Sequence, residues 1–371
     1  LSVRSGQAIQ QPLCGSNSAG IRNPSAAGVD LRVALTSLYL EPVDEIRLIR
    51  AEQPPESLAR TRPSTRAPFR IAAVQHRWHP DPAEHEAALE QGIQLAAGEG
   101  AELVCLQELT LSRYFAVDPA GPEAAGAEPE ELPGGPTFEF AARMAAATGV
   151  HIHASLYERA DADDGLGYNT AIVVSPAGEL VGRTRKLHIP VTAGYHEDRY
   201  FRPGPADSDP FPLAHLELHQ ISAVSDQKFD AVRDEGVKLG LPTCWDQWFP
   251  EVARAYSLEG ADVLVYPTAI GSEPDHPGFD TQPLWQQVIV ANGIANGTFM
   301  VAVNRIGTEQ PLTFYGSSFI SDPYGRILAQ APRNEPAVLV ADLDLDQRRD
   351  WLELFPFLAT RRPDTYGPLA D

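Results

Sequence analysis

From Phe69 onward, short apolar runs alternate with longer stretches in which apolar residues recur every three or four positions. The first pattern reads as buried strands and the second as amphipathic helices. FRIAAVQ is predicted as a strand, Asp81 to Ala97 as a helix stopping near Gly98 and Gly100, and AELVCLQE as a second buried strand that ends at Glu108. A loop rich in Gly, Pro and Glu runs from Asp118 to Pro136, followed by a helix from about Phe138 to Thr148. HIHASLY, YNTAIVVS and ELVGRTRKL read as strands, the last two joined at the hairpin signal Pro176-Ala177-Gly178. Val237 to Thr243 is a predicted strand. Asp246 is the expected N-cap of the next helix, with Pro250 in its first turn and Gly260 at its stop. ADVLVYP, a helix from about Gln282 to Asn296, FMVAVNR, a hairpin of FYGSSFIS and RILAQA, and AVLVADL complete the pattern.

Strand–helix units mixed with hairpins predict two mixed sheets, each with helices on one face, stacked as an α-β-β-α sandwich. Periodicity alone does not separate that arrangement from a doubly wound sheet. Residues 1–68 carry Ser, Gln, Arg and Pro without sustained periodicity, apart from an apolar piece near Val33 to Leu40. They are expected to be a poorly ordered extension outside the domain, which would begin at residue 69.

Charge narrows the functional classes. The 371 residues carry a formal net charge of −21, which argues against nucleic-acid binding, since phosphate neutralisation needs a basic face. Cationic small molecules are compatible with it. No apolar run reaches membrane-spanning length and residues 1–20 lack a signal-peptide core, so the expectation is a cytoplasmic protein with no membrane partner. The three cysteines, Cys14, Cys105 and Cys244, form no CxxC pair, which argues against a disulfide framework or a structural zinc site. His151 and His153 share one face of a strand, but no third ligand stands out.

Three polar residues stand where predicted strands end: Glu108 after LVCLQ, Lys186 after GRTR, and Cys244 after LPT. Each has a bland alternative: a surface carboxylate, a solvated lysine in a basic run, a buried small hydrophobe. Together they make chemical sense as a nucleophilic thiol, a carboxylate to take its proton, and an ammonium to hold an oxyanion. A helix N-terminus after Cys244 would favour the thiolate.

These segments resemble the nitrilase superfamily of carbon–nitrogen hydrolases, over about Phe69 to Leu369. LVCLQE, RKLHIP and LPTCWDQWFPE match family signature segments in family order. The resemblance implies a Glu–Lys–Cys triad of Glu108, Lys186 and Cys244, with a supporting glutamate at Glu197 in GYHEDRYFRPG. It implies a thioester mechanism without a metal or organic cofactor, in which Lys186 and a backbone N–H near Trp245 hold the oxyanion. CWDQWFPE, YPTAIGSEP and NRIGTE are most similar to the N-carbamoylputrescine amidase branch, and RRPDTYGPL to the C-terminal extension of amidase branches, so that a tail is expected over about 345–371. That implies a small ureido or amide substrate, with Glu273 as anchor for a distal ammonium and Asp275 or Asp280 as alternatives. Trp245, Tyr114 and Trp285 are candidate pocket walls, and a homo-oligomer built from dimers is expected. Between Gly204 and Lys238 the chain is longer than that branch, so a surface insertion is expected at about 217–235. The alternatives are a β-ureidopropionase-like or ω-amidase hydrolase, which would want a basic residue in place of Glu273, and a non-catalytic binding protein on the same fold.

Overall fold

Alternation along single strands sets the layering. In β2 (Phe69–Gln75), Phe69, Ile71 and Ala73 join one buried apolar cluster, while Ala72 and Val74 join another. A strand with two apolar faces must be covered on both sides. The computed structural model describes residues 45–51, 55–205, 209–217 and 236–369, all within one unit, Val43–Asp371.

A seven-stranded sheet runs in the order β1 (Arg47–Arg50), β17 (Ala337–Leu343), β2, β3 (Leu103–Cys105), β4 (His151–Glu158), β5 (Tyr168–Val174) and β6 (Leu180–Arg185). A six-stranded sheet runs β16 (Ile327–Gln330), β15 (Phe319–Ser321), β12 (Phe299–Val303), β11 (Val263–Pro267), β10 (Val237–Gly240) and β9 (Leu213–Leu216). Both are mixed. Their facing residues form one core that includes Ile71, Leu103, Val173, Leu239, Val265, Val301 and Leu339. Each such side chain contributes about 1.5–3 kcal/mol relative to exposure.

Helices cover the outer faces. α1 (Pro82–Gly98) and α3 (Pro136–Thr148) place Leu89, Ile93, Phe140 and Met144 against the seven-stranded sheet. α4 (Pro250–Glu259) and α5 (Gln282–Asn296) place Val252, Tyr256, Trp285 and Ile289 against the other. The result is the expected α-β-β-α sandwich. Asp81 caps α1 as its side chain accepts from the backbone N–H groups of Ala83 and Glu84. Two hairpins, β7 (Val191–Thr192) with β8 (Tyr195–His196) and β13 (Ile306–Glu309) with β14 (Leu312–Tyr315), stand apart from the sheets. A short α2 (Pro122–Ala125) lies in the Gly- and Pro-rich loop, and α6 (Asp346–Leu354) follows β17. Among the described residues no helix is long and apolar enough to cross a membrane.

Three expectations need correction. The ordered chain begins well before residue 69. β1 pairs in parallel with β17, and Ser57, Ser64, Thr65 and Arg66 bond to Asp350, Asp346 and Asp262. Residues 1–44 lie outside the described residues, as does the expected insertion at about 217–235 beyond its first residue, Glu217. FYGSSFIS is not one strand, because Gly316 and Ser317 both take left-handed φ and divide it between β14 and β15. Finally, Asp246 does not cap α4, whose N-cap is Phe249. It lies inside a separate 3-10 turn, Cys244–Trp248.

Candidate active site

Four segments meet. Glu108 follows β3 after two residues, and its neighbour Leu109 takes a left-handed φ of 49°. Lys186 is the first residue after β6, fixed by its N–H to the Asn169 carbonyl at 2.8 Å. Glu197 opens the 3-10 turn Glu197–Arg199. Cys244 opens its own turn with φ 42°, a conformation that costs a non-glycine residue energy and has to be held by its surroundings.

The Lys186 ammonium lies between the two carboxylates. Nζ is 3.0 Å from Glu108 Oε1 and 2.8 Å from each oxygen of Glu197, and all three side chains are fully buried. Asn169 Nδ2 donates to Glu108 Oε1 at 2.7 Å, and Tyr114 Oη donates to Glu197 Oε1 at 2.6 Å. Glu108 Oε2 is buried and has no hydrogen-bond partner. A buried carboxylate oxygen left open beside a thiol is the place for an incoming proton or substrate N–H.

Electrostatics set the protonation states. Burial alone would lower the Lys186 ammonium, but Glu108 and Glu197 outweigh it and hold its pKa above the usual lysine range. Burial raises the Glu197 carboxyl to about 7, with Lys186 pulling it down and Glu108 pushing it up. Burial and the Glu108 charge push the Cys244 thiol well above its ordinary value, and Lys186 and the Ala269 N–H offset this only in part. The expected thiolate-favouring helix terminus is therefore absent. The α-helix starts six residues later, and the buried sulfur beside a carboxylate keeps its proton.

One carboxylate ties the lysine loop to the cysteine turn. Asp246 accepts from the N–H groups of Thr243 at 3.1 Å, His188 at 3.0 Å and Leu187 at 3.4 Å, and from His188 Nδ1 at 2.8 Å. The His188 ring stacks on Phe249 with centroids 3.6 Å apart. Neither Asp246 in this role nor Asn169 was found from the sequence. The signal available for Asp246 was its offset of two from Cys244, which was spent on a helix cap.

The remaining predicted residues divide. Tyr114 is in the cluster, but as a fully buried partner of Glu197. Trp245 is half-buried next to Cys244, its ring edge-on to Trp248. Glu273 is half-buried and accepts from Thr281 Oγ1 at 3.2 Å. Its charge is felt by Tyr195 and Tyr315, both of which also feel Cys244. Asp280 is paired with Arg333 and Asp275 is exposed. Trp285 is core, not wall: it is fully buried against Tyr315 and Phe319, and its indole N–H donates to Gln247 at 2.8 Å beneath the cysteine turn. Among the described residues no group of three or more His, Cys, Asp or Glu side chains is arranged to hold a metal ion.

Comparison with known proteins gives the family of the chain. The family model described as carbon-nitrogen hydrolase matches residues 70–353. An N-carbamoylputrescine amidase from Solanum lycopersicum is 36% identical over 307 residues, covering 81% of this chain and 94% of that protein. A citrullinase from Francisella tularensis is 35% identical over 310 residues, covering 82% and 98%. A crystal structure of a carbon–nitrogen hydrolase from Helicobacter pylori G27 superposes with a TM-score of 0.68 at 29% identity, covering 82% of this chain and 99% of that one.

Proposed function

The chain belongs to the carbon–nitrogen hydrolase family, and from that premise we infer that it hydrolyses the ureido group of a small N-carbamoyl amine to ammonia, carbon dioxide and the free amine. The observation that carries the reaction is the open, buried Oε2 of Glu108 beside Cys244, whose thiol pKa is pushed up by burial and by the Glu108 charge. A thiol that keeps its proton at rest needs a base at the moment of attack, and Glu108 is the carboxylate with an oxygen free to act.

Glu108 takes the Sγ proton as sulfur attacks the ureido carbon. The ammonium of Lys186, with a backbone N–H near Trp245, stabilises the negative oxygen that forms. Glu108 returns its proton to the leaving nitrogen, and ammonia departs, leaving a carbamoyl thioester. Water, deprotonated by Glu108 and oriented by Glu197, attacks that thioester and frees the sulfur. The released carbamic acid falls apart into carbon dioxide and amine.

Glu273 supports the amine end of the substrate. It is a half-buried carboxylate with no cation partner among the described residues, and its charge and that of Cys244 both act on Tyr195 and Tyr315. A distal ammonium would supply the missing charge. The reading extends to a homo-oligomer built from dimers acting in the cytoplasm, which sedimentation and cell fractionation test.

The deciding experiment is an ammonia-release panel of N-carbamoylputrescine, citrulline, N-carbamoyl-β-alanine and an ω-amide. N-carbamoylputrescine is expected to give the highest kcat/KM. Preference for citrulline or N-carbamoyl-β-alanine would replace the diamine by a ureido acid, and preference for the ω-amide would make the enzyme an ω-amidase. No ammonia from any of them would leave a binding protein.

A further inference from the structure

Arg305 is a guanidinium with no access to solvent, on the segment between β12 and β13 that belongs to the six-stranded side of the molecule. Nη2 donates to the carbonyl oxygens of Glu108 at 2.6 Å, Leu109 at 3.2 Å and Ser112 at 3.2 Å. Nη1 donates to Glu309 Oε1 at 2.7 Å. Glu309, itself 8% exposed, uses Oε2 to accept the Tyr114 N–H at 2.6 Å. Tyr114 in turn holds Glu197 through its hydroxyl.

The ion pair therefore reaches both carboxylates that flank Lys186. It reaches Glu108 through that residue's own main-chain carbonyl, and Glu197 through the backbone and ring of Tyr114. The loop between them needs such a hold, because Leu109 is left-handed and the first residues after β3 have few ladder bonds. Ser155 supplies the opposite grip, accepting the Leu109 N–H at 3.2 Å and the Thr110 N–H at 2.8 Å. A buried ion pair adds little net stability once desolvation is counted, so its effect is sought in the groups it holds. Only a planar fork can present several N–H groups to three carbonyls and a carboxylate at once. A lysine ammonium in the same place is a single point donor.

We propose that Arg305 and Glu309 form a positioning pair, reaching from the second sheet, that fixes Glu108 and Glu197 at the distances the lysine and the nucleophile require. The pair touches no reacting atom. It acts by keeping Glu108 aligned on Cys244, so its loss reduces the rate of proton removal without weakening substrate binding. The proposal rests on the assignment of Glu108 as base to Cys244, and not on the identity of the substrate.

The test reads that alignment with and without substrate. Arg305→Met and Glu309→Gln are expected to lower kcat about tenfold to a hundredfold with KM changed less than threefold, the scale of a misplacement near 1 Å. Arg305→Lys is expected to recover only part of the loss. Alkylation of Cys244 by iodoacetamide, followed by peptide mass, is expected to slow by a similar factor between pH 6 and 8. In a Glu108→Gln background the same substitutions should slow alkylation no further, because the base they position is gone. An equal factor in both backgrounds, or wild-type kcat and alkylation in folded Arg305→Met and Glu309→Gln, overturns the pair. If Arg305→Met does not fold, Glu309→Gln carries the same comparison. Unchanged alkylation in Glu108→Gln alone would instead sink the base assignment, so the two failures are told apart.

Discussion

The residues proposed to carry the chemistry stand out in the sequence by type and position, and the residues that hold them do not. Glu108 and Cys244 each end an apolar run, where a polar group is conspicuous, whereas Lys186 follows the basic segment GRTR and stands out only beside the other two. Asn169 bonds the Glu108 carboxylate, and Asp246 and Arg305 hold backbone groups, all on distant segments, which no local pattern encodes. Trp285 was misread because an aromatic at helical spacing fits a pocket wall and a core equally well. Replacing Cys244 by Ala should abolish ammonia release with the fold retained, whereas Cys105→Ala should keep most activity, since Cys105 lies wholly inside the inter-sheet core. Near wild-type turnover in Cys244→Ala would remove the nucleophile. Glu197, raised to about 7 by burial, is protonated below neutrality and ionised above it. The kcat/KM profile should show an inflection near pH 7 that Glu197→Gln removes; its persistence would assign the inflection elsewhere. Glu273→Gln should lower kcat/KM for a cationic ureido substrate about tenfold to a hundredfold, the worth of a charge-assisted hydrogen bond, and leave a neutral N-carbamoyl alkylamine little changed. Equal losses on both would make Glu273 a support of its loop.

At the scale of elements, the helices were the most readable. Asp81, Pro82 and the apolar spacing that follows mark α1 at its true start, and Gly260 ends α4 in a left-handed turn, as its position suggested. The elements missed were those held by polar bonds. β1 is a four-residue edge strand, RLIR, with neither end buried, so it has little alternation to read. The segment 55–66 is tied down by hydrogen bonds to carboxylates that are themselves nearly inaccessible: Ser57 and Arg60 on Asp350, Ser64, Thr65 and Arg66 on Asp346. Hydrophobic periodicity carries no trace of such contacts. A poorly ordered extension outside the domain would make deletion of residues 1–65 harmless. The contacts predict the reverse, since the deletion strips a strand from β17 and leaves Asp346 and Asp350 buried without several of their donors, at about 1–3 kcal/mol or more for each carboxylate. The truncated chain should melt several degrees lower than the full chain, or precipitate. An unchanged melting temperature would show that α6 satisfies those carboxylates alone.

The molecule as a whole builds its site from both sheets. Glu108 and Lys186 follow strands of the seven-stranded sheet, and Cys244 and Glu273 follow strands of the six-stranded one, so the groups proposed to act together come from both sheets. That makes activity depend on the integrity of the inter-sheet core, and the core contains a polar exception. His153 on β4 is fully buried among the facing strands, and neither ring nitrogen has a hydrogen-bond partner. Burial pushes its pKa down to about 3, as it does for His76 to about 3 and His85 to about 4. In the unfolded chain these rings take a proton near pH 6.5. Between pH 6.5 and 4, therefore, unfolding takes up protons that the folded state refuses, and stability present above pH 6.5 is lost as the pH falls. The net charge of −21 works the other way, since protonating carboxylates relieves self-repulsion over the same range. A single substitution separates the two effects. His153→Leu removes one refused proton, keeps the volume nearly constant and leaves the surface charge alone. It should match or exceed the wild type in urea midpoint at pH 8. Its advantage should then grow below pH 6.5 by up to about 1.4 kcal/mol per pH unit. Stability curves that stay parallel down to pH 5 would mean that His153 binds its proton equally well in the folded core.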